Sequence, residues 1–420
     1  MGHSHAAVKI SRTQEASTTS RTARLVVTIV LAALTLLTVV GMAWLWPDWN
    51  HLAAIRHQPT SFSTAAGVSF ENAKILEVTP RCIDTTVADT PTPSSSRQAC
   101  LRLKVHLDTG PEKGQTVTVE SVGPAAESNL SPGDMVQVMR SASASGSGNN
   151  YSFSGVHRTG PIMFFALLFV VVVVAVARWK GVFSLLGLGF ATAIIGFFML
   201  PALASGRPGI WVGLVGANAI MLVVIHVAHG VSMRTAAAML GTLCGLILSA
   251  LFGTAAVWLG HLSGYVDDMS FDLSANIPHL NMRQLLIVAI ILAGLGVLND
   301  VTITQASSVW ELRLAAPHYT RWEVYRSAMR IGCDHIASTI YTVVFAYTGA
   351  ALATVMLIVM FYDRPFSELF ATESIAAELL QILTSASALI LSLPLTTAIA
   401  ALMIRKAKVA NADAVENSAS

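Results

Sequence analysis

The run PIMFFALLFVVVVVAVA, residues 161–177, contains no charged side chain and none that forms a hydrogen bond. About 17–25 apolar residues in a helix cross the roughly 30 Å hydrocarbon core of a bilayer. A helix on the surface of a soluble domain would keep a polar face. This run has none, so it reads as a membrane span. Seven further windows share its character, near residues 25–46, 182–203, 210–228, 235–259, 284–305, 335–361 and 379–404.

Composition agrees. Of 420 residues, 54% are hydrophobic and 12% charged, with a mean hydropathy of +0.62. Soluble domains carry about 25% charged residues. The shortfall excludes a soluble enzyme, a disordered chain and a nucleic-acid-binding arm. A net charge of +2 implies no general attraction for polyanions, so no nucleic-acid partner is expected. Four cysteines exclude a disulfide-dense secreted scaffold. The expected class is an α-helical polytopic membrane protein of about eight transmembrane helices, with the lipid bilayer as its first partner.

The window 25–46 is too long for a signal-peptide core and ends in Trp44, Trp46 and Trp49, an interfacial belt. It reads as an uncleaved signal anchor. Orientation follows from Lys and Arg in the short loops. Arg178 and Lys180, Arg313, Arg321, Arg326 and Arg330, and Arg405, Lys406 and Lys408 fall on one side, whereas the opposite loops hold only Arg207, Arg283 and Arg364. The expected topology is a multi-pass protein of the cell membrane with both termini cytoplasmic. Its parts are a tail (1–24), the anchor (25–46), an extracytoplasmic domain with linker (47–160), a seven-helix bundle (161–404) and a second tail (405–420).

The extracytoplasmic domain reads as β structure. Leu101, Leu103, Val105 and Leu107 alternate with polar residues, as do Val117 with Val119 and Val136 with Val138. Pro132-Gly133-Asp134 marks a turn. Four or five short strands predict a small barrel, OB-like in type. Cys82 and Cys100 both fall here. A disulfide between them would close a loop of about 18 residues, worth about 2–4 kcal/mol; two buried free thiols are the alternative.

Within the spans, glycines at 187, 189, 196, 213, 216, 241, 245, 294 and 296 allow helices to approach closely. Gly294-Leu-Gly296, just before Asn299-Asp300, would also suit a broken helix lining a solute site. A charge in a span costs at least about 2.5–3.5 kcal/mol, which makes it a candidate for function. Asp300 lies roughly 24 Å along its helix from the outer end, toward the cytoplasmic side. Thr304 is one turn on, and Glu311 extends the strip. Asp334 and His335 open the next span from the same side, and His226 and His229 are neighbours at the end of the fourth. Carboxylates and imidazoles at one depth suit proton relay or divalent-metal binding. A structural pair of Asp300 with an arginine of the adjoining loop is the competing reading. No H-E-x-x-H, C-x-x-C or G-x-S-x-G occurs, so no metal is specified, no catalytic residue is assigned and no cofactor is expected.

The stretches GVLNDVTITQASSVWEL (residues 296–312) and IGCDHIASTIYTVVFAYTG (331–349) resemble the paired signature of the YibE/F-like membrane proteins. Asp300, Ser307, Glu311, Gly332, Asp334, Thr342, Ala346, Tyr347 and Gly349 occupy its positions. The chain departs from it at Cys333, where many relatives carry Arg, and at Tyr341, where many carry Asn. The resemblance implies a signal anchor, an extracytoplasmic β domain and a seven-span bundle. It implies no activity. Three functions are compatible with the residues: a transporter or channel for a small solute or ion using the cluster around Asp300 and Asp334; a non-catalytic envelope assembly protein that binds a protein partner through its β domain; and an intramembrane hydrolase using the two acids.

Overall fold

The computed structural model describes residues 21–56, 68–80, 100–142, 149–361 and 366–405. Two compact units are present, Pro59–Val176 and the combination of Met1–Gln58 with Ala177–Ser420.

In the first unit, β1 (Ser69–Thr79), β2 (Cys100–Leu107), β3 (Thr116–Val122), β4 (Met135–Ala142) and β5 (Asn149–Val156) form one antiparallel sheet of order β3-β2-β1-β4-β5. β3 also lies beside β5, so the sheet is a nearly closed barrel. The alternation seen in the sequence sets the register. Val105 stands opposite Ile75 and Val117, and Ala73 opposite Val136 and Leu107. Ala73, Ile75, Leu103, Val105, Leu107, Val119, Val136 and Val138 form the core. Glu71 is buried here, where it accepts hydrogen bonds from Ser69 Oγ and Thr109 Oγ1, each at 2.9 Å. Gly110 sits directly against that carboxylate with φ +93°, a place and a conformation that exclude a side chain.

The second unit is helical. It contains α1 (Arg21–Trp44), α2 (Trp49–Arg56) and the later part of α3 (Thr159–Ile194). A π-helical turn at Ile195–Met199 leads into α4 (Leu200–Ala204). There follow α5 (Gly209–His229), α6 (Met233–Leu259), α7 (Asp268–Asn276), α8 (Met282–Ala315), α9 (Arg321–Ala350), α10 (Leu352–Phe361), α11 (Phe366–Leu369) and α12 (Glu373–Met403). Local chemistry starts them. Ser232 with Thr235 and Thr320 with Glu323 form capping boxes at α6 and α9, and Asn281 caps α8. Asp267 caps α7, so the acidic loop after α6 is a short capped helix.

The centre of the bundle is the mutual packing of α6, α8 and α12, with α5 and α9 against them and α1 on α5. Gly241 and Gly245 are the close-approach points of α6: a Cβ at 241 would collide with Thr396, and one at 245 would lie 2.5 Å from Leu298 Cδ2.

Among the described residues six helices are long and apolar enough to span a membrane, or seven if the bent pair of α9 and α10 is counted. This differs from eight separate windows in three ways. First, windows 161–177 and 182–203 follow each other without a loop, as two helices that meet at a kink. The expected loop at Arg178 is a single residue of non-helical backbone, φ 52° and ψ −134°. Second, the window beginning at 335 is really a helix beginning at Arg321, and it meets α10 at a 76° bend. Third, α8 runs unbroken through Gly294 and Gly296. A glycine costs about 1 kcal/mol in a helix, whereas each backbone group left unpaired in lipid costs several. Gly294 is instead a packing position beside Ser249 and Ser385.

Candidate functional site

α8 has two different faces. Leu298, Val301, Thr302, Gln305, Ala306 and Val309 are buried in the bundle. Gly296, Asp300, Thr304 and Glu311 are exposed, with Ser307 and Ser308 half-buried beside them. Spacings of three and four residues place these on one stripe. α9 carries a second stripe of exposed polar residues, Asp334, Ser338, Tyr341 and Thr342.

The two helices are joined by Asp300 and His335. Asp300 Oδ2 lies 3.6 Å from His335 Nε2, with side-chain exposures of 62% and 37%. That distance is too long for a hydrogen bond but short enough for an ion pair when the imidazole is protonated. The neighbouring hydroxyls turn back on their own helices. Thr304 donates to the Asp300 carbonyl at 2.7 Å, Ser307 to Ile303 at 2.7 Å and Ser308 to Thr304 at 3.0 Å. The carboxylates of Asp300, Asp334 and Glu311 therefore accept no hydrogen bond among the described residues.

The expected cluster is thus brought together in part. His335 meets Asp300, taking the place expected for an arginine. His229 is half-buried and lies within electrostatic range of Asp300, Arg234 and Lys180. His226 donates through Nδ1 to Leu222 O at 2.7 Å, which engages it with its own helix. Asp334 is exposed, and Glu311 stands three turns beyond Asp300, roughly 16 Å away along the axis. Among the described residues no group of three His, Cys, Asp or Glu side chains could hold a metal ion. Cys100 is disulfide-bonded; its expected partner, Cys82, lies outside the described residues. Cys244 and Cys333 are free.

A second polar constellation, absent from the expected site, runs through the centre. Thr242 and Thr302 hydroxyls meet at 2.8 Å, and Gln305 Nε2 donates to Thr397 Oγ1 at 2.7 Å and to Ala328 O at 2.9 Å. Ser385 donates to Ile290 O at 3.3 Å, and Ser249 is buried nearby. Its signal in the sequence is the seven-residue spacing of Thr235, Thr242 and Ser249, and again of Ser385 and Ser392, which keeps hydroxyls on one helix face.

The sequence profile of the YibE/F-like protein matches residues 165–406, more than half of the chain. The chain belongs to the YibE/F-like family. No curated protein and no solved structure matches it. In this YibE/F-like protein the matched region takes in both polar stripes and the central hydroxyl seam, and it leaves the β barrel outside. The family and the apolar helices together make it a membrane-embedded protein.

Proposed function

We propose that this YibE/F-like protein is a transporter or channel for a small solute or ion, and that its path follows the polar stripes of α8 and α9. One observation carries the reading: the 3.6 Å pair of Asp300 and His335 joins two polar stripes, one on a helix long and apolar enough to span a bilayer and one on the first arm of the bent α9–α10 pair. Groups of this kind are costly in lipid unless they are used. Asp300→Asn should abolish proton or monovalent-cation flux in reconstituted vesicles while circular dichroism stays that of the wild type. Unchanged flux in that variant refutes the reading.

The same reading places the protein in the cell membrane with eight spans and both termini cytoplasmic. The distribution of Lys and Arg supports this, as does the break at Arg178, which divides a 46-residue apolar stretch. At 1.5 Å per residue that stretch is roughly 69 Å long, twice what one crossing needs.

A second reading rests on the barrel. Its strand order, closed by β3 beside β5, supports an OB-like identity. Phe70 and Leu76 stand exposed on β1, a surface suited to an envelope protein partner. Removal of residues 61–140 should then abolish function, and crosslinking from position 70 should capture one partner. Full function without the segment removes this reading.

A further inference from the structure

Trp310 and Arg313 lie three residues apart on α8, so their side chains are neighbours on one face. Both are buried, 2% and 4% exposed. Arg313 Nη1 donates to Pro317 O at 3.1 Å and Tyr319 O at 2.7 Å, holding the turn between α8 and α9. Arg313 Nε, Arg313 Nη2 and Trp310 Nε1 are buried with no hydrogen-bond partner among the described residues. Three buried donors from this one face thus lack an acceptor among the described residues.

They also lack a counter-charge. Arg321, at the start of α9, donates through Nε and Nη2 to Ile404 O at 3.0 and 2.7 Å. Ile404 belongs to the same apolar cluster as Trp310. Both guanidiniums are therefore met by carbonyl dipoles, and among the described residues neither forms a salt bridge. Glu311 is exposed, and Glu323 accepts from the Thr320 backbone at 2.7 Å and hydroxyl at 2.9 Å. A buried cation with free donors and no carboxylate is an incomplete arrangement.

Position identifies the missing group. Arg313 is roughly 44 Å along α8 from Gln284, beyond a hydrocarbon core of about 30 Å and so on its polar side. A guanidinium edge and an indole N–H offer donors suited to a tetrahedral oxyanion. We infer that Trp310 and Arg313 form a binding site for a phosphate group, supplied either by a lipid headgroup or by phosphate in solution. The site is separate from the Asp300–His335 pair and does not depend on transport.

The test uses the full-length protein, delipidated in an uncharged detergent. Its thermal midpoint is measured with inorganic phosphate against chloride at matched ionic strength, and again in phosphatidylcholine nanodiscs with and without phosphatidic acid. A rise of several degrees is expected in at least one arm. It should be lost in Arg313→Gln and reduced in Trp310→Phe, which removes one N–H without changing charge. A rise with free phosphate assigns a soluble source, and a rise with phosphatidic acid alone assigns a lipid. No rise in either arm, or a full rise retained in Trp310→Phe, overturns the site. The latter comparison decides it even if Arg313→Gln fails to fold.

Discussion

Gln305 on α8 and Thr397 on α12 meet at 2.7 Å, and the same amide donates to Ala328 O of α9 at 2.9 Å. One side chain therefore ties three helices. Gly332 makes this possible, because a Cβ there would fall 2.7 Å from Gln305 Oε1. Hydrogen bonds between helices in a bilayer are worth about 0.6 kcal/mol on average and up to about 1.7. Gln305→Leu should cost about 1–2 kcal/mol, read as a lower thermal midpoint in detergent. An unchanged midpoint would show that the amide holds nothing.

The glycines of the bundle should divide by their surroundings. A side chain at 245 meets Leu298 at 2.5 Å and Ser392 at 3.2 Å, whereas one at 296 meets nothing within 4 Å. Gly245→Val should destabilise by about 1–3 kcal/mol through overpacking. Gly296→Ala should gain up to about 1 kcal/mol from helix propensity. Unfolding of the two variants side by side checks the contrast, and equal effects would contradict the packing described.

If Asp300 and His335 act as one unit, their substitutions must not add. Asp300→Glu and His335→Gln should each depress flux without abolishing it, and the double variant should be no worse than the more severe single. Multiplicative losses in reconstituted vesicles would mean that the two residues work apart.

In the barrel, Tyr151 donates its hydroxyl to Glu112 Oε2 at 3.0 Å. Burial first, and then the hydrogen bond and charge of Glu112, raise the hydroxyl's pKa above its ordinary value of about 10. A raised value means the folded state favours the protonated form. The contribution is complete below about pH 10 and is lost as pH climbs through the folded value. Near-ultraviolet circular dichroism should show the barrel weakening above pH 10 in the wild type more than in Tyr151→Phe. Parallel curves would remove Glu112 and Tyr151 from its stability.

Much of this architecture was legible in the residues. Long apolar runs set the membrane helices, and the alternation from Leu101 to Leu107 set a strand whose partners lie in the register it requires. The joints were less so. Arg178-Trp-Lys-Gly reads as a loop by charge, yet the chain turns there in a kink at Arg178 alone, with helix on either side. The start of α9 escaped because its first turns hold Arg321, Arg326 and Arg330, which a hydropathy window rejects although Thr320 and Glu323 cap them. Of the site, Asp300 and His335 could be chosen as charged groups near one depth, but their pairing needed the crossing of α8 and α9. The central hydroxyls were overlooked because threonine and serine satisfy themselves on the backbone of any membrane helix. Only their burial shows which of them join helices.

The stripe from Asp300 to Glu311 has a consequence for the lipid around it. A solitary copy presents carboxylates and hydroxyls where acyl chains would otherwise lie. Water and headgroups must then sink toward Asp300 and dimple the adjoining leaflet. A thinner host membrane lessens that deformation and a thicker one aggravates it, so acyl-chain length becomes a physical control on how comfortably this protein resides in its bilayer.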